Sequence, residues 1–183
     1  MRMTLGFFVF LSLLVFQGCA TSPPPRAGSP VVPLSKANLE AVLEEQEGLE
    51  IVWQDAQEVR DFYRGGVQQK AKAEQKYRAK SYPQALDLYD KSNEFLLVVL
   101  KYINHDSCEY VLFEGTSILF LPHLLMADNY LKTGRILKEM GRDSSAQRKW
   151  KSALQCIQRS LHCEQTEWGL EIEKELHSLL GTR

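Results

Sequence analysis

The 183-residue chain has almost no excess charge of either sign: 22 lysines and arginines stand against 23 aspartates and glutamates, a formal net charge of −1. That balance excludes the basic footprint of a nucleic-acid-binding domain and the acidic tail of a solvating segment. Cysteine is scarce, four residues in all, too few for a disulfide-framework scaffold. Proline is scarce outside one stretch, since five of the seven lie between Pro23 and Pro33. Strand-like alternation is lacking after Pro33, which argues against a β-rich domain. The familiar chemical constellations are missing as well: no HExxH, no paired CxxC, no phosphate loop and no Gly-x-Ser-x-Gly elbow. A metal site needs three or four converging ligands, and His105, Cys108, Cys156, His162 and Cys163 do not offer that set on one helix face. The expectation is therefore a non-enzyme, with no cofactor and no metal.

What is present begins at the amino terminus. Arg2 supplies a positive start, Leu5 to Phe16 form a nearly unbroken apolar run, and the run stops at Gln17-Gly18-Cys19. This order matches a secretory signal peptide, and Gly18-Cys19 at its end resembles the lipobox of bacterial lipoproteins. The resemblance implies cleavage before Cys19 and acylation of that cysteine, with palmitate among the chains. A plain secretory signal or an uncleaved anchor uses the same kind of run, but this one is shorter than the ~20 apolar residues a spanning helix needs. The proline-rich stretch behind it suits a semi-rigid tether. The organisation expected is a signal over residues 1–18, a tether over 19–34 and one helical domain over 35–183. Ala20 after the cysteine, in place of aspartate, implies by the same resemblance the periplasmic face of the outer membrane.

Past the tether, apolar residues recur at spacings of three and four. Ser35 suits a first N-cap, and Leu49, Val52, Trp53, Ala56, Val59 and Tyr63 form a stripe that Gly65-Gly66 ends. A polar helix follows over Val67–Lys80, then one from Pro83 towards His105, with Pro83 suited to a first helical position. Asp106 to Glu109 has capping-box spacing ahead of the apolar stretch Tyr110–Met126, which reads as the centre of the fold. Three more helices are expected over Pro122–Met140, Asp143–Cys163 and Thr166–Leu180, with Gly141 closing the first and Asp143 capping the second. On one helix Cys156 and Cys163 lie ~10.5 Å apart along the axis, too far for a disulfide. A bridge would have to involve Cys108, and free thiols buried as small apolar residues are the expected alternative.

Tyr130, Thr133-Gly134 and Leu137, followed by Ala146, Trp150 and Ala153, resemble a tetratricopeptide repeat over residues 127–160. Ala73, Tyr82, Ala85, Tyr89 and Ser92 keep the same spacing in a second match over 66–97. The two are offset by 61 residues, so the segment between them reads as a shortened unit. The fold expected is all-α, a short tetratricopeptide-like antiparallel stack; an irregular helical bundle is the alternative.

Such stacks bind other proteins along their A helices, so the resemblance implies an envelope protein partner. The groove positions it points to are Lys70, Glu74, Tyr77 and Arg78 in the first unit and Leu131, Arg135, Lys138 and Glu139 in the second. Cations outnumber anions there, which favours an acidic or C-terminal carboxylate ligand. The function expected is an outer-membrane-anchored scaffold or assembly factor, joined to the membrane through its lipid and binding neither nucleic acid nor metal. The other reading is a carrier or sensor of a lipid or other apolar ligand, held by Tyr110–Met126.

Overall fold

The computed structural model describes the backbone of residues 50–51, 56–101, 103–104, 109–110, 113–114 and 121–182, and the side chains of 61–101 and 121–182. The signal, Cys19, the tether, the first expected helix and Cys108 lie outside the described residues. The fold is all-α. Five helices are described: α1 (Ala56–Arg78), α2 (Tyr82–Leu100), α3 (Leu121–Glu139), α4 (Asp143–Cys163) and α5 (Glu167–Leu180). Helix α1 packs along α2 and α3 along α4, α2 meets α3, and α5 closes the stack against α4 and α3.

The two hairpins repeat one another position by position at the 61-residue offset. In the α1–α2 turn, Lys80 N–H donates to Tyr77 O (2.9 Å) and Ser81 N–H to Lys76 O (2.9 Å). In the α3–α4 turn, Gly141 N–H donates to Lys138 O (2.9 Å) and Arg142 N–H to Leu137 O (2.8 Å). Both turns place a left-handed residue at the same point, Lys80 at φ 56° and Gly141 at φ 73°, as helix C-termini commonly do. Ala85 and Ala146, also equivalent, are fully buried. Gly134 lies under the Trp150 ring, whose Nε1–H donates to Leu131 O at 3.3 Å. A Cβ on Gly134 would fall 2.2 Å from that nitrogen. The close neighbour of Gly134 is thus Trp150, which packs within its own hairpin. In the first hairpin the corresponding cluster pairs Ala73 with Tyr89, a slightly larger residue opposite a smaller ring.

Several expectations change. Gly65 and Gly66 do not end a helix; α1 runs through both. A Cβ on Gly65 would meet Phe95 Cδ1 at 3.0 Å, and one on Gly66 would meet Leu96 Cγ at 2.9 Å. The glycines are there for close helix approach. Glu50–Ile51, read as part of a helical stripe, pairs antiparallel with Phe113–Glu114, with Ile51 opposite Phe113. Ile103–Asn104 likewise pairs with Glu109–Tyr110. These four two-residue strands, β1 (50–51), β2 (103–104), β3 (109–110) and β4 (113–114), satisfy backbone groups across the chain where capping-box spacing suggested a helix start. The two hairpins therefore stack directly, α2 on α3, with no helix described between Leu100 and Leu121. Asp143 is the first residue of α4, not its cap; Arg142 stands at the cap position without a side-chain hydrogen bond. Thr166 does cap α5, accepting from Gly169 N–H at 3.1 Å.

The core runs through both hairpins and α5. Leu121, Leu124, Leu125, Ile157, Leu176 and Trp168 are buried within it, which places the described end of the apolar stretch at the centre of the fold. Cys163 is disulfide-bonded, so it is not the free buried thiol expected; Cys156 keeps its thiol. Burial pushes the Cys156 thiol up to about 11.

A non-glycine left-handed residue costs about 1–2 kcal/mol. Lys80→Gly should therefore raise stability by about 1 kcal/mol in urea unfolding, and Gly141→Ala should lower it by about as much.

Candidate functional site

Of the groove positions read from the repeat resemblance, Lys70, Glu74, Leu131 and Arg135 fall on the faces where units join. Lys70 and Glu74 point from α1 onto α3. Lys70 Nζ is ion-paired with Asp128 Oδ2 and donates to Asn129 Oδ1 at 2.9 Å. It also lies 3.5 Å from Glu74 Oε1. Lys132 Nζ is paired with Glu74 Oε1 and lies 2.7 Å from Asp128 Oδ2. Two ammoniums and two carboxylates thus alternate in one closed lattice. Lys70, Asp128 and Lys132 are buried, at 6%, 3% and 5% exposure.

Neutral groups extend this lattice. Tyr89 O–H donates to Glu74 Oε1 at 3.1 Å, and its ring stands 5.7 Å from Lys70 Nζ. Asn129 Nδ2–H donates to Ser92 Oγ (3.0 Å) and Asn93 Oδ1 (2.9 Å). Ser92 O–H donates to Gly66 O at 2.7 Å, across the close approach that the missing Cβ permits. Polar groups from α1, α2 and α3 are joined in one network, as buried polar groups require.

The same logic places the second set. Leu131, equivalent to Lys70, is buried at 3% in the core, so it lines no groove. Arg135, equivalent to Glu74, is half-buried and reaches forward to α5, where its Nε donates to Glu175 Oε1 at 3.0 Å. Lys138 is exposed and pairs with Asp143 at 3.0 Å. Glu139 is exposed and accepts from Tyr82 O–H. Tyr77 is half-buried and Arg78 exposed. The expected cationic excess is therefore largely neutralised within the chain: Lys70, Arg135 and Lys138 each have a carboxylate partner. Sequence reasoning missed Asp128, Asn129 and Lys132. The available signal was two charges at i, i+4 inside an otherwise apolar helical stretch.

Charge states follow from burial and partners. Burial alone would raise the Asp128 carboxyl, but the Lys70 and Lys132 ammoniums outweigh it and hold it well below the usual carboxylate range. Glu74 is lowered by the same two lysines against its own burial. Burial lowers Lys70 despite its carboxylate neighbours. Lys132 is raised, because Asp128 and Glu74 overcome its burial. Burial also drives the Tyr89 phenol up, helped by Glu74 and Asp128, so Tyr89 remains a donor.

No family model, curated protein or solved structure matches the chain.

Breaking a buried ion pair by removing one partner typically costs about 3–5 kcal/mol. Asp128→Asn, which leaves Lys70 and Lys132 to share the Glu74 carboxylate, should lower unfolding free energy by about that much. The native carboxylates are held below their unfolded value of about 4. Above that value their contribution is fully present. Below it the unfolded chain takes up protons that native Asp128 and Glu74 refuse, so stability falls as acid is added. Urea unfolding followed from pH 6 downward should show this loss, and Asp128→Asn should show a shallower one.

Proposed function

We propose that the chain is a protein-binding scaffold or assembly factor of the cell envelope, held by a lipid on Cys19 at the periplasmic face of the outer membrane. The observation that carries this reading is the repeated hairpin. Two equivalent units stacked in register and closed by α5 form a short solenoid, an architecture whose surfaces serve binding. The resemblance to tetratricopeptide repeats rests on the same units, with Gly134 under Trp150 and Ala85 and Ala146 at matching positions. The disulfide-bonded Cys163 favours an oxidising compartment, in keeping with an exported chain. Among the described residues no helix is long and apolar enough to cross a membrane.

The surface offered to a partner is the exposed end of the inner face, where Tyr77, Arg78, Lys138 and Glu139 stand beyond the buried lattice. The carrier reading is less favoured, because Leu121, Leu124, Leu125 and Met126 are packed in the core.

Two measurements test the proposal. Cys19→Ser should leave an uncleaved precursor that takes up no radioactive palmitate; labelling that persists rejects the anchor. Arg78→Glu with Lys138→Glu should leave the melting temperature within a few degrees, since exposed pairs contribute only ~0–1 kcal/mol. The same variant should lose the proteins captured by crosslinking in cells. Undiminished capture by this folded variant would remove the inner face from the binding surface.

A further inference from the structure

A second surface differs from the inner face in charge and in what it leaves unsatisfied. Helices α2, α3 and α4 enclose an open groove of about 480 Å³. Its apolar portion is built from Leu86, Tyr130 and Leu137. Three cations, Arg142, Arg148 and Lys149, line it against one carboxylate, Asp90. Lys149 is already committed, 3.2 Å from Asp90 Oδ1 and 5.2 Å from the centre of the Tyr130 ring. Arg148 donates to the neutral Ser145 hydroxyl at 3.1 Å. Neither Arg142 nor Arg148 forms an ion pair among the described residues. Asp143, the nearest carboxylate in sequence to Arg142, is engaged by Lys138.

Thr133 supplies an independent observation. It is 1% exposed, it lines the groove, and its Oγ1 is buried without a hydrogen-bond partner among the described residues. Proteins seldom leave a buried hydroxyl unmatched, because its desolvation is then uncompensated. Arg142 and Ser145, at the start of α4, also line the groove, so the positive end of that helix adds to the field of the arginines.

We propose that this groove binds a small organic anion, a carboxylate or phosphate monoester carried on a short apolar body. The head sits between Arg142 and Arg148 and reaches the Thr133 hydroxyl, while the body covers Leu86, Tyr130 and Leu137. The size fits, since small-molecule sites are typically about 300–1,000 Å³ with few polar groups fixing orientation. The site goes beyond the scaffold reading and does not depend on it.

The test uses full-length protein in nanodiscs of zwitterionic lipid, titrated calorimetrically with hexyl phosphate, hexanoate, inorganic phosphate and hexanol. At least one of the two amphiphilic anions should bind saturably, and inorganic phosphate and hexanol should each bind at least about tenfold more weakly. Arg142→Ala with Arg148→Ala, both at exposed positions, should weaken the anion by about tenfold or more with the melting temperature unchanged. Thr133→Val should weaken binding severalfold while raising the melting temperature of the ligand-free protein, since it deletes an unmatched hydroxyl. A merely structural threonine would instead lose stability on that change and leave binding alone, which would overturn the role given to it. No saturable binding of either anion, or equal binding by the double-alanine variant, would overturn the proposal. Inorganic phosphate binding as tightly as hexyl phosphate would overturn its apolar half.

Discussion

The lattice of Lys70, Glu74, Asp128 and Lys132 fixes how the two hairpins meet. The effective cost of taking each ion out of water is several kcal/mol, and mutual attraction offsets it only when geometry and hydrogen bonding are complete. Here α1 brings one cation and one anion, and α3 brings one of each. Neither hairpin can bury its own share without the other. A slip of one helical turn along the junction would set ammonium against ammonium. The apolar part of the interface cannot supply that discrimination, since leucines tolerate many offsets. The lattice therefore acts chiefly on register, and the hairpins are expected to fold as one cooperative unit.

Equivalence at the 61-residue offset explains why the lattice occurs once among the described residues. Lys70 and Glu74 correspond to Leu131 and Arg135, and both pairs occupy the forward face of an A helix. In the first unit that face meets a complete second hairpin, whose Asp128, Asn129 and Lys132 answer it. In the second it meets the single helix α5. The demand there is smaller: Leu131 goes into the core and Arg135 reaches Glu175. The backward face shows the complement, because Asp128 and Lys132 correspond to Val67 and Ala71. The two hairpins thus differ where their neighbours differ, while their turns at Lys80 and Gly141 and their small-under-ring contacts match.

This division sets what could be read from the sequence. The helices α3, α4 and α5 were legible to within about a residue or two, the usual spread of boundary definitions, because Gly141 closes the first of them and their apolar spacing is regular. Gly65-Gly66 was misleading, since the same residue type serves to end a helix or to let another helix in, and only the partner Phe95-Leu96 decides. The strand pairs were hidden because two residues are too few to establish a period. A lysine at a groove position such as Lys70 is ordinarily exposed. Its burial depends on Asp128, 58 positions away, and no local pattern carries that information. The repeat match likewise carries no information on what covers the helix face it points to.

The chain's near-zero net charge likewise conceals an uneven surface. On the inner face the cations are matched within the chain, Lys70 and Lys132 in the buried lattice, Arg135 by Glu175 and Lys138 by Asp143. A partner approaching there would have to displace those carboxylates, so complementarity gives it specificity more than affinity. Along the groove of α2, α3 and α4, by contrast, Asp90 pairs with Lys149, and the guanidinium groups of Arg142 and Arg148 have no carboxylate partner among the described residues. Attraction of an anion there breaks no existing pair. The proposed partner surface and the proposed anion groove therefore differ in how far their cations are already paired among the described residues.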